Sequence, residues 1–109
     1  MSENIDFGKY RTYDELYTVM KQLVEEYPNL SKLYSIGKSL QGRELWTMEI
    51  TNHTTGPAEE KPGMWIDGNT HSAEVAGSAV CLKTIWYLLY NYGKNSFITE
   101  LLDTRSIYI

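Results

Sequence analysis

The sequence predicts an α/β protein with a mixed sheet in a three-layer α/β/α arrangement. The chain carries helix, β-hairpin, strand, helix, short helix and strand in that order. Three observations predict it. Helical and strand-like hydrophobic periods alternate along the chain. The second long helical stretch is apolar on most of its sides, as a helix covering a sheet is. Short apolar runs, such as Met64-Trp65-Ile66, read as buried strands that need neighbours on both sides and cover on both faces. A length of 109 residues allows one small domain at most, and a hydrophobic content of 42% is enough to pack it.

Residues 1–9 form a polar N-terminal segment, frayed or extended, and residues 10–109 form the structured unit. Thr12-Tyr13-Asp14-Glu15 is a capping box, with Thr12 at the N-cap and Glu15 three residues on. Leu16, Val19, Met20, Leu23, Val24 and Tyr27 follow at helical spacing, and Pro28-Asn29 ends the helix. Ser31 to Ser39 and Arg43 to Thr51 are two strands joined through Leu40-Gln41-Gly42. Trp46, Met48 and Ile50 alternate with Leu45, Thr47 and Glu49, so one face is better buried. Arg43 reads as a structural arginine.

Asn52 to Gly63 is a loop in which His53 reads as a solvated histidine. Met64-Trp65-Ile66 is a short buried strand, and Asp67-Gly68-Asn69 turns out of it. Val75 to Tyr92 is a core helix whose small residues Ala73, Ala76, Gly77 and Ala79 let its start approach the sheet. Gly93 ends it. The aromatic cluster Trp86, Tyr87, Tyr90 and Tyr92 reads as packing. Ser96 caps a short helix through Leu102, and Arg105 to Ile109 is a strand.

The formal net charge of −4 argues against a nucleic-acid partner, which selects basic patches. It offers no attraction to an anionic membrane, and Lys83 interrupts an apolar stretch too short to span one. Cys81 is the single cysteine, so an internal disulfide is excluded; in an apolar helix it acts as a small hydrophobe. Met1-Ser2-Glu3-Asn4 has neither the basic start nor the apolar core of a leader. Asn29-Leu30-Ser31 and Asn52-His53-Thr54 match the glycosylation acceptor pattern, which recurs by chance and carries no weight.

The chemistry sits between the third strand and the second long helix. His71 and Glu74 are three residues apart, a spacing that puts two side chains on one face of a helical turn. An imidazole and a carboxylate aimed together suit zinc, which takes His nitrogen and carboxylate oxygen at about 2.0–2.2 Å. The H-x-x-E pattern alone has little specificity. Glu74 equally suits the positive end of a helix, and His71 equally suits a loop. His53 is the only other histidine, and so the only local candidate for a second imidazole.

The flanking residues narrow the reading. Gly68-Asn69-Thr70-His71-Ser72-Ala73-Glu74 after Trp65-Ile66-Asp67 resembles the first zinc-ligand motif of the zinc metallocarboxypeptidases, the carboxypeptidase A-like family (peptidase family M14). Tyr10 to Leu16 resembles the family's opening. Ser35-Ile36-Gly37-Lys38-Ser39-Leu40-Gln41-Gly42-Arg43-Glu44-Leu45 resembles its first hairpin, with the pattern I-G-x-S-x-x-G-R-x-I/L. Asn91-Tyr92-Gly93 and Leu101-Leu102-Asp103 also fit, so the likeness runs from about Tyr10 to Ile109.

The resemblance implies the N-terminal part of a catalytic domain more than twice this length. It implies zinc as cofactor, His71 and Glu74 as two of three zinc ligands, and the C-termini of peptides or proteins as substrates of the parent. The third ligand, a histidine, has no counterpart in this chain. Neither has the glutamate general base, nor the residues that hold the substrate's terminal carboxylate. The resemblance therefore assigns no catalytic residue here and implies that the chain alone is inactive. Ala73 stands where several animal digestive members carry an arginine, so that substrate contact is missing. The family is often secreted, which leaves the compartment open. Two other readings stand beside this one: a zinc deacylase acting on small acyl-amino acids, and a non-catalytic module of the same fold in which His71 and Glu74 are incidental. An unfinished sheet also invites self-association at its edge.

Overall fold

The computed structural model describes residues 4–109. Helix α1 (Tyr13–Glu26) is followed by strands β1 (Ser31–Lys38) and β2 (Glu44–Ile50) and by two short 3-10 turns at His53–Thr55 and Ala58–Glu60. Then come β3 (Gly63–Trp65), α2 (Ala76–Asn91), α3 (Ser96–Thr104) and β4 (Ser106–Tyr108). The sheet order is β1-β2-β4-β3. β1 pairs antiparallel with β2, β2 antiparallel with β4, and β4 parallel with β3. The α/β class and the mixed sheet are as the sequence predicts.

Local chemistry accounts for most boundaries. The Thr12 hydroxyl accepts from the Glu15 amide and the Glu15 carboxylate accepts from the Thr12 amide, closing the predicted capping box. Gly42, in the tight connection after Ser39, takes φ +80°, a left-handed conformation that glycine adopts at no steric cost. The Arg43 guanidinium bonds Gln41 and lies over the Tyr13 ring, 6.0 Å from its centroid, which is a structural role.

One core holds the elements together. Val19 and Leu23 of α1, Met48 and Ile50 of β2, and Ile107 of β4 meet Leu82, Ile85, Leu88 and Leu89 of α2 and Ile98 and Leu102 of α3. Ile107 is registered opposite Ile50, so the buried face of the sheet is the one carrying Met48 and Ile50. Trp46, two residues before Met48, points the same way and packs on Tyr17 of α1 with ring centroids 4.6 Å apart.

Three local expectations are corrected. Met64-Trp65-Ile66 is buried only in part, at Ile66, which packs against the core: β3 is the last strand of the sheet, with only β4 beside it, and Met64 and Trp65 are more than half exposed. Asp67-Gly68 does not turn; neither residue lies in a turn or bend, and of the three only Asn69 takes a left-handed φ, of 63°. The cap of α3 is Asn95, whose side-chain oxygen accepts from the Phe97 and Ile98 amides, and the helix continues to Thr104. The first nine residues fall partly outside the described range. Within it, Ile5 and Phe7 are partly buried and pack against the core. Among the described residues no helix is long and apolar enough to cross a membrane.

Candidate metal centre

The segment between β3 and α2 is held at both ends before it turns. At its start the Ile66 amide donates to the Tyr108 carbonyl at 2.8 Å, extending the parallel ladder one residue past β3. Asp67 accepts from the Trp65 indole N–H at 2.8 Å, so its carboxylate braces a side chain of the edge strand. At the far end the first turn of α2 lies directly on Gly68 and Asn69. A Cβ on Gly68 would stand 2.7 Å from the Gly77 carbonyl oxygen, and one on Gly77 would stand 2.6 Å from the Asn69 amide nitrogen. Both glycines are therefore required by close backbone approach. This is the approach that the small residues around Gly77 predict.

His71 and Glu74 sit in the turn between these anchors, ahead of α2 rather than on its first turn. The Glu74 amide donates to the His71 carbonyl at 2.9 Å, closing a turn that brings the two side chains to the same side. His71 Nδ1 lies 3.2 Å from Glu74 Oε1 and 3.3 Å from Oε2. The imidazole thus presents Nδ1 to both carboxylate oxygens. The two side chains are 77% and 69% exposed, and an ion pair so open to solvent contributes little to stability.

The separation fits a shared ion. Two ligand atoms about 2.0–2.2 Å from a tetrahedral zinc lie about 3.3–3.6 Å apart, and the 3.2–3.3 Å seen here, also a hydrogen-bond distance, is at the short end of that range. Among the described residues no group of three or more His, Cys, Asp or Glu side chains is placed to hold a metal, so the turn offers two donors. His53 is not a third. Its Nε2 lies 2.8 Å from Glu49 Oε2 and its Nδ1 3.2 Å from the Asn29 carbonyl oxygen, and the ring is largely buried. The solvated loop histidine expected from the sequence is instead a bridge between the loop and β2. Cys81 is half-buried; burial, with the nearby Asp67 charge, pushes its thiol pKa up and keeps it neutral.

Asn69 was legible only as a turn residue. In the structure its side chain links α2 to the metal-candidate turn, donating from Nδ2 to the His71 carbonyl at 3.0 Å and accepting from Ser78 Oγ at 3.1 Å. The available signal was its residue type, since Asn is among the few residues that tolerate a left-handed φ.

Fold and site together define an α/β protein with a two-donor candidate metal centre at the carboxyl end of a strand. The family model of the zinc carboxypeptidases (peptidase M14) matches residues 16–109, and the chain belongs to that family. It is similar to carboxypeptidase D of Mus musculus, 33% identical over 97 residues that make up 89% of this chain and 7% of that protein. It is also similar to carboxypeptidase A2 of Mus musculus, 34% identical over 106 residues, 97% of this chain and 24% of that one. The crystal structure of thrombin activatable fibrinolysis inhibitor superposes with a TM-score of 0.82 at 28% identity, covering 94% of this chain and 25% of that one. The chain thus spans a quarter or less of the length of these relatives.

Proposed function

We propose that this chain is the N-terminal part of the catalytic domain of a zinc-dependent metallocarboxypeptidase, an enzyme that removes C-terminal residues from peptides. The observation that carries the reading is the convergence of His71 Nδ1 and both Glu74 oxygens, 3.2–3.3 Å apart, at the carboxyl end of β3. Family membership supports it. In this reading His71 and Glu74 are two of three zinc ligands, and the isolated chain is inactive because the third ligand and the general base lie outside it.

When bound, zinc supplies a Lewis acid for the scissile carbonyl and a water whose pKa is lowered toward ~7. The residues of this chain hold and orient. His71 offers an imidazole nitrogen and Glu74 two carboxylate oxygens, and the backbone turn between them sets their spacing. Their exposure leaves the ligand-facing side open to a peptide. Alanine at position 73 places no charge beside the pair, so an anionic substrate group must be met by residues elsewhere.

The experiment is zinc titration of the chain, with His71→Ala and Glu74→Gln alongside. Wild-type binding should be weak, as two ligands dictate, and each variant should lower it by more than the about tenfold that loss of a ligand's outer partner costs. Zinc binding unchanged in both variants would overturn the assignment. A second arm incubates the zinc-loaded chain with a peptide bearing a free C-terminus. No release of amino acid is expected, and turnover comparable to that of a complete carboxypeptidase would overturn the claim of inactivity.

A further inference from the structure

We infer that Asn69 is a positioning residue for the zinc-ligand pair; the inference rests on the reading of His71 and Glu74 as ligands. Asn69 is the only non-glycine residue with positive φ among the described residues, at 63°. This left-handed residue stands directly before the bend at Thr70-His71 and the turn at Ser72-Ala73. Its side chain then does what glycine at the same φ could not. Nδ2 donates to the His71 carbonyl oxygen at 3.0 Å, while Oδ1 accepts from Ser78 Oγ at 3.1 Å. The amide orientation is fixed by these partners, because a carbonyl only accepts and the Ser78 hydroxyl has a proton to give.

The His71 carbonyl is the node of the arrangement. It takes one hydrogen bond from Asn69 and a second from the Glu74 amide at 2.9 Å. One oxygen therefore ties the histidine's backbone to the left-handed residue before the turn and to the glutamate that closes it. Ser78, on α2, shares its single hydroxyl proton between Asn69 Oδ1 and the Val75 carbonyl oxygen, each 3.1 Å away. The Gly68–Gly77 contact holds the helix against the same backbone. The exposed ligand pair has no buried side-chain partner of its own, so its spacing is inherited from this backbone lattice. Asn69 is the one side chain in it that reaches the turn.

Asn69→Gly separates the two contributions, since it keeps the left-handed φ and deletes both side-chain bonds. Zinc affinity of the chain should fall about tenfold, the usual cost of losing an outer partner of a metal ligand, while far-UV circular dichroism and the urea midpoint stay close to wild type. Asn69→Asp keeps the acceptor for Ser78 but sets an oxygen against the His71 carbonyl; because its carboxylate itself attracts the cation, this variant is read by the zinc-free contacts alone. Without zinc, nuclear Overhauser contacts between the His71 ring and the Glu74 side chain should weaken in both variants. Wild-type zinc affinity together with undiminished contacts in Asn69→Gly overturns the inference. If instead His71→Ala leaves zinc binding untouched, the ligand reading falls, and the zinc-free contacts still decide whether Asn69 orders the pair.

Discussion

At the scale of single residues, the polar groups with most at stake lie away from the candidate metal centre, where the loop after β2 meets α2 and α3. Asn52 is buried, at 7% exposure, and every arm of its amide is used. Nδ2 donates to the Tyr92 hydroxyl at 2.9 Å and to Asp103 Oδ1 at 2.8 Å, while Oδ1 accepts from the Thr54 amide and hydroxyl. An amide so engaged is closed to glycan attachment in the folded chain, whatever the acceptor pattern at Asn52-His53-Thr54 suggests. Asp103 gains most from the cluster. The Tyr92 hydroxyl, donating at 2.6 Å, and then Asn52 hold its carboxyl pKa below the ordinary 3.8. A depressed carboxyl pKa stabilises the fold fully above the unfolded value, and that contribution is lost as pH falls through the folded one. Urea midpoints measured from pH 5 downward should therefore decline, and Asp103→Asn should show a shallower decline with a lower midpoint at pH 7. An equal slope in the variant would mean that other carboxylates dominate acid unfolding. The same hydrogen bond pushes the Tyr92 hydroxyl pKa up, so its share of stability is present below the unfolded tyrosine pKa and is lost as pH rises through the folded one.

At the scale of elements, the join between β3 and α2 shows when a helical glycine is not a defect. Glycine inside a helix usually costs about 1 kcal/mol relative to alanine, so Gly77→Ala, in the first turn of α2, would ordinarily stabilise. Here a Cβ at Gly77 meets the Asn69 amide nitrogen at 2.6 Å and the Gly68 carbonyl carbon at 3.3 Å. These are backbone atoms, which cannot swing aside as a side-chain tip can. Overpacking of this kind costs about 1–3 kcal/mol, enough to cancel or reverse the propensity gain. Gly77→Ala should fail to stabilise and should destabilise by up to about 2 kcal/mol in urea denaturation, and it should disturb the amide resonances from Gly68 to Glu74 before those of the α2 C-terminus. A stabilised variant with unshifted loop resonances would show that the helix has room to move. The capping box at α1 is the opposite case. Its two reciprocal bonds lie within four residues, so Thr12 and Glu15 could be assigned from spacing alone. The cap of α3 could not be assigned as securely, because Ser96 and Asn95 are both good caps and only the backbone decides between them.

At the scale of the whole molecule, the sequence revealed what repeats locally and concealed what depends on neighbours. The stripe of Val19 and Leu23, the alternation through Met48 and Ile50, and the small residues at the start of α2 are short-range signals, and each element they imply is present. The turn bringing His71 and Glu74 together is short-range too, which is why the pair was legible. The burial of His53 against Glu49 was not, since β2 and the loop meet only after folding, and neither was the position of β3 in the sheet. Order β1-β2-β4-β3 leaves two outer strands of different character. β1 is long and carries Lys32 and Lys38 with a register irregularity after Ser35, all features that discourage pairing with another chain. β3 is short, but Met64 is 59% and Trp65 52% exposed, and none of its three residues is charged. If this chain associates with itself, β3 is the edge that has no guard. Sedimentation velocity across a concentration series should show a reversible dimer, and Met64→Lys should shift it toward monomer, because an edge lysine must be desolvated to be covered. Met64 is chosen over Trp65 because the Trp65 indole braces Asp67 next to the metal-candidate turn. A chain that stays monomeric at high concentration, or a dimer indifferent to the lysine, would show that the β3 edge is inert and that any association runs through another surface.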